Sequence, residues 1–161
     1  LVGSEMCIRD RCKSMPQFQG SGFALMLPEG CGDASSYTFV LPAHKGFAPN
    51  LVIRFEDVKP GSAVAQHADA ALEALSGQFA DFKLVKRVAA QRPDWDGVMA
   101  VVEWGEGAAR MAQKHLYMLV AGKPPRLYTL TATDLLANAK HSAPLFDQML
   151  RSFSPNQTQR F

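Results

Sequence analysis

A change of hydrophobic period near residue 60 constrains this chain more than any other feature. Before it, apolar residues alternate; after it, Val64, Ala68, Ala71, Leu72, Leu75 and Phe79 recur at i, i+4, i+7, i+8, i+11 and i+15. That spacing puts them on one side of an amphipathic helix, while Gln66, Asp69, Glu73 and Ser76 occupy the other. One face of this helix is therefore wet, and the other covers a sheet. Pro60 and Gly61 mark the break, and Ser62 is placed as the N-cap.

The flanking segments read as strands. Residues 20–27 (GSGFALML) alternate Phe23, Leu25 and Leu27 with smaller side chains and stop at Pro28-Glu29-Gly30. Residues 36–41 (SYTFVL) end at Pro42, and 51–56 (LVIRFE) follow a loop of Gly, Pro and Asn. Beyond the helix, residues 82–90, 98–104, 110–120 and 126–132 are strand candidates separated by Gly- and Pro-containing turns, and short turns imply antiparallel neighbours. A closing helix runs from about Ala143, with Ser142 as its cap. Leu145, Phe146, Met149, Leu150 and Phe153 share one arc, and the helix stops before Pro155.

The order βββαββββα predicts an α+β fold, an antiparallel sheet of six or seven strands with two main helices. Two helices do not easily cover both faces of such a sheet. With 161 residues, 47% hydrophobic and 20% charged, the chain matches one ordinary globular domain.

The ends are read separately. Residues 1–11, LVGSEMCIRDR, resemble the conceptual translation of a sequencing adapter, so residues 1–14 are set apart as non-native, with Met15 the first plausible start. The domain then spans 15–155, and 156–161 form a loose tail. Setting the first segment aside removes three basic and two acidic side chains, which lowers the net charge of +2 by one. So small a charge, evenly spread, favours neither nucleic acid nor an anionic membrane. No run approaches the ~18 apolar residues of a membrane span, so direct membrane insertion is not expected and a cytoplasmic location is the simplest reading. The alternative is a periplasmic location, should an upstream signal have been lost.

No catalytic, cofactor or metal site emerges. The four histidines, His44, His67, His115 and His141, sit in unrelated contexts and carry no motif. Cys31 and His44 can be imagined as thiolate and base, but nothing local resembles a nucleophile motif. With Cys7 and Cys12 set aside, Cys31 stands alone and makes neither an internal disulfide nor a multi-cysteine zinc site. Gly20-Ser21-Gly22 is too short for a phosphate loop. The expectation is a non-enzymatic protein.

The apolar content of the early strands stands out instead. Phe23, Leu25 and Leu27 share a face, as do Phe39 and Leu41, and as do Leu51, Ile53 and Phe55. Either this stripe is the core beneath the helices, or part of it forms an open, sticky concavity. Periodicity alone does not choose the face.

The pattern as a whole resembles the DcrB-related family of bacterial proteins. The residues that carry the resemblance are Leu27, Pro28, Gly30, Asp33, Ser35, Asn50, Arg54, Leu72, Leu75, Phe79, Phe82, Gln113, Leu130, Phe146 and Phe153, in motifs such as NLVIRF, ALEAL and RLYTLTAT. The resemblance implies a PsbP-like fold. The branch without a signal peptide is similar to Eag-type chaperones of the type VI secretion system, which hold hydrophobic N-terminal helices of secreted effectors. It implies a homodimer whose two concave sheets cradle such helices, with Phe23, Leu25, Leu27, Phe39, Leu51 and Ile53 lining the groove. A periplasmic or envelope lipoprotein and a small-ligand-binding domain are the alternatives.

Overall fold

The computed structural model describes residues 17–155, apart from 21, 29, 30, 32, 33 and 94. The expectations for segment 1–14, for Gly30 and Asp33, and for the tail 156–161 lie outside the described residues. The chain divides into two units, one holding the N-terminal hairpin and the other residues 34–157.

The N-terminal unit contains β1 (Gln17–Gly20) and β2 (Phe23–Met26), paired antiparallel with Phe18 opposite Leu25 and Gly20 opposite Phe23. The sequence predicts one strand over 20–27. The chain instead reverses at Gly22, whose φ of 86° is the left-handed region that a residue without Cβ enters freely. Phe18 and Phe23 meet within the hairpin at 5.9 Å between ring centroids.

The larger unit is a six-stranded sheet with order β3-β4-β8-β7-β6-β5, antiparallel throughout. Its strands are β3 (Ser36–Val40), β4 (Asn50–Asp57), β5 (Lys83–Arg92), β6 (Trp95–Trp104), β7 (Met111–Val120) and β8 (Arg126–Leu135). The helices are α1 (Val64–Gln78) and α2 (Ala139–Ser152). The antiparallel α+β architecture with two main helices is the one predicted, and the six strands of the main sheet fall within the six or seven expected; the β1–β2 hairpin is separate from it among the described residues.

Both predicted caps shift. The N-cap of α1 is Ala63, not Ser62, and no side chain caps it. The last helix begins four residues before Ala143, so Ser142 lies inside it, fully buried, with its hydroxyl donating to the Ala139 carbonyl at 3.4 Å. A serine can return its hydroxyl to a carbonyl of the preceding turn, so serine alone does not mark a helix start.

The two helices lie on opposite faces. On β7, Tyr117 packs with Ala68 of α1, whereas its neighbours Leu116 and Met118 pack with Phe146 and Leu150 of α2. Successive side chains of a strand point to opposite faces, so the assignment follows. The α1 stripe works as its spacing predicts: Ala68 and Leu72 meet Val98, Ala100 and Val102 of β6, and Phe79 stacks on Trp104 at 4.2 Å. Polar ties brace both helices. Arg87 on β5 donates to Asp69 of α1 at 2.8 Å, Lys114 on β7 pairs with Asp147 of α2, and Arg92 donates to the Arg151 carbonyl at 3.0 Å.

Candidate functional site

A helix is about 10–12 Å wide and strands are about 4.8 Å apart, so one helix shields about two strands. On its face α2 lies over β8, with Phe146 and Leu150 in a cluster that includes Leu116, Met118, Leu130 and Ala132. The β3 end of that same face has no helix over it among the described residues.

There the chain has placed aromatic side chains. Tyr37 pairs with Ile53 and Phe39 with Leu51 across β3 and β4, so all four share the α2 face. Tyr37 and Phe39 are 54% and 48% exposed. Half-buried Phe55 extends the row, tilted against Tyr128 at 5.9 Å, and Tyr128 meets Phe153 edge-on at 5.6 Å. The result is an aromatic shelf with Tyr37 and Phe39 on its open side and Tyr128 and Phe153 as the wall beside α2. Arg126 closes one end. Its guanidinium lies 4.9 Å above the Phe55 ring and donates to Asp57 at 2.8 Å, a bond that raises its pKa further.

The six residues singled out by sequence separate into three environments. Phe23 and Leu25 are exposed on β2 and Leu27 is half-buried just after it, all in the N-terminal unit. Phe39 is exposed on the shelf. Leu51 is 2% exposed and belongs to the core under α2, with Ile53 packed against that cluster. Leu51 therefore offers no surface to a partner, because α2 reaches as far as β4. Tyr37 went unnoticed, although it sits two residues before Phe39 and period two places both on one face.

Two of the four histidines meet, but no catalytic or metal-binding group forms around them among the described residues. His44 stacks on His141 at 4.1 Å, beside the hydrogen bond from Asn138 Nδ2 to the His44 carbonyl. His115 is buried on the α1 face of β7, 3.2 Å from the Thr131 hydroxyl, and burial lowers its pKa to about 4. No three His, Cys, Asp or Glu side chains among the described residues are grouped to hold a metal ion. No helix among them is long and apolar enough to cross a membrane. A depression of about 610 Å³ at the β5–β6 turn is lined by Gln91, Arg92, Trp95 and Asp96. Its polar groups engage one another, Gln91 donating to Asp96 at 2.9 Å and Arg92 lying over Trp95.

Comparison with solved structures agrees with the architecture. PA94 of Pseudomonas aeruginosa, a protein of unknown function proposed as a regulator, matches with a TM-score of 0.71 and 21% identity, over 89% of this chain and 99% of that one. LpqN of Mycobacterium tuberculosis, involved in cell envelope biogenesis, matches at 0.53 and 10% identity, over 74% and 82% of the two chains. Cyanobacterial PsbP (CyanoP) of Synechocystis sp. PCC 6803 matches at 0.51 and 11% identity, over 89% and 93%. These likenesses establish the PsbP-like fold. No curated protein matches the sequence. Several residues that carry the sequence resemblance, Leu72, Leu130 and Phe146, are buried in the core, so they specify the fold rather than a site. The DcrB family model matches residues 23–152, and the chain belongs to the DcrB family.

Proposed function

We propose that this protein shelters an apolar helix of a partner polypeptide on the shelf of Tyr37, Phe39 and Phe55, in the manner of a chaperone for type VI secretion effectors. The observation that carries the reading is the exposure of Tyr37 and Phe39 on the face where α2 already packs by its apolar side. A second helix laid beside α2 would bury those rings, at about 25 cal/mol per Å² of apolar area removed from water. A helix of about 20 apolar residues released into the cytosol would otherwise aggregate or enter the wrong membrane. On this reading the protein acts in the cytoplasm and is not an enzyme.

The test uses the full chain and a fluorescent peptide of about 20 Leu and Ala residues flanked by lysines. The expected result is saturable binding that weakens at least tenfold in the Tyr37→Asp/Phe39→Asp double variant, with circular dichroism unchanged. No binding by the native chain, or equal binding by the folded variant, overturns the proposal.

A further inference from the structure

The β5 edge of the six-stranded sheet interrupts its own ladder. Leu84 pairs with Val102 and Lys86 with Val101, so Val85 has no residue opposite it and sits in a bulge. A bulge leaves one residue unpaired and re-aims its side chain. Leu84 and Val85 are 44% and 47% exposed, although an edge strand is ordinarily kept polar. Lys83, Lys86 and Arg87, all exposed, flank these two aliphatic side chains. Arg87 is held by Asp69 of α1, and cations of the inner strands are likewise paired, Lys114 with Asp147 and Arg126 with Asp57. Lys83 and Lys86 make no ion pair among the described residues. The carboxylate across from Lys83, that of Glu103, is engaged by Arg110 at 3.2 Å.

We infer that this edge docks on an anionic lipid surface, with Leu84 and Val85 entering the headgroup layer and Lys83 and Lys86 against its phosphates. The small net charge is no obstacle, because it averages over the whole molecule, whereas an anionic leaflet attracts the cations that lie within about 10 Å of it. Apolar burial and basic charge each hold a protein weakly on a membrane, and together they hold it reversibly. A fluid interface also receives apolar side chains without a cavity shaped to fit them. Nucleic acid matches the lysines but not their neighbours: its bases stack on exposed aromatic rings, and β5 carries none.

The docking is independent of the helix-sheltering reading, since vesicles contain no protein helix, and either can fail alone. The full chain should co-sediment with vesicles of phosphatidylethanolamine and phosphatidylglycerol and not with vesicles of phosphatidylcholine. Lys83→Gln/Lys86→Gln should weaken binding by more than about tenfold, each lysine near the surface contributing about fivefold. Leu84→Thr/Val85→Thr, which keeps the charge, should weaken it by about threefold. Circular dichroism checks that both variants are folded. Two controls should bind as the native chain does: Lys59→Gln/Lys123→Gln, at exposed lysines elsewhere, and Tyr37→Thr/Phe39→Thr, on the shelf. A native chain that ignores the anionic vesicles, or binds phosphatidylcholine equally, overturns the inference. So does undiminished binding by either folded β5 variant, or a loss in either control as large as that in Lys83→Gln/Lys86→Gln.

Discussion

Phe39 and Leu51 stand directly opposite one another across β3 and β4, with side chains on the same face, yet Phe39 is 48% exposed and Leu51 is 2% exposed. The difference follows from cover on that face: Leu51 belongs to the buried cluster that includes Phe146 and Leu150 of α2, and Phe39 does not. Two adjacent apolar residues of similar sequence context thus have different tasks, one holding the fold and the other offering surface.

That contrast predicts opposite outcomes for two matched substitutions. Leu51→Ala leaves a cavity beneath α2 and is expected to destabilise the protein by about 2–5 kcal/mol. Phe39→Ala removes a ring that is already half in water and is expected to cost less than about 1 kcal/mol. Urea denaturation of both variants separates the cases. Equal losses would place Phe39 in the core.

Acid should weaken the fold through His115. Burial lowers its pKa in the folded protein from the ordinary 6.5 to about 4, so the unfolded chain takes up the proton first. The neutral imidazole's contribution is complete above pH 6.5, declines as the pH falls from there towards 4, and amounts to on the order of 3 kcal/mol over the whole window. His115→Gln, which keeps a polar group near the Thr131 hydroxyl, is expected to flatten that part of the profile. Urea midpoints at pH 7.5 and pH 4.5 measure it, and a parallel fall in both proteins would assign the acid sensitivity to carboxylates instead.

Gly97 is the residue of β6 where added volume should be felt most. A Cβ there would come within 2.7 Å of the Tyr117 carbonyl oxygen and 2.8 Å of Trp95 Cζ3. The first neighbour is backbone of the paired strand, so it yields only if the β6–β7 register distorts. Gly97→Ala is expected to lower stability by about 1–3 kcal/mol, read as a fall in Tm. Gly77, with open space around its missing Cβ, serves as the control: Gly77→Ala should leave Tm unchanged or raise it.

Much of the local structure was legible along the chain. The apolar stripe from Val64 to Phe79 emerges as α1 with its inner face on β6, and the four runs after it are consecutive antiparallel strands. Less legible were features that depend on one residue's backbone or on a distant neighbour. Gly22 divides what reads as a single strand, and Ser142 caps nothing because α2 begins one turn earlier. Nothing local indicates that β4 pairs with β8, far along the chain, and so sets β3 at an edge.

Period and turn chemistry by themselves determined the element types, the α+β class and which residues of each strand share a face, because side-chain direction repeats every two residues in a strand and every 3.6 in a helix. Only the tertiary structure decided which side chains are covered. Coverage depends on where α2 comes to rest after the long-range β4–β8 pairing has formed, and that position separates Leu51 from Phe39 although β-strand periodicity treats them alike.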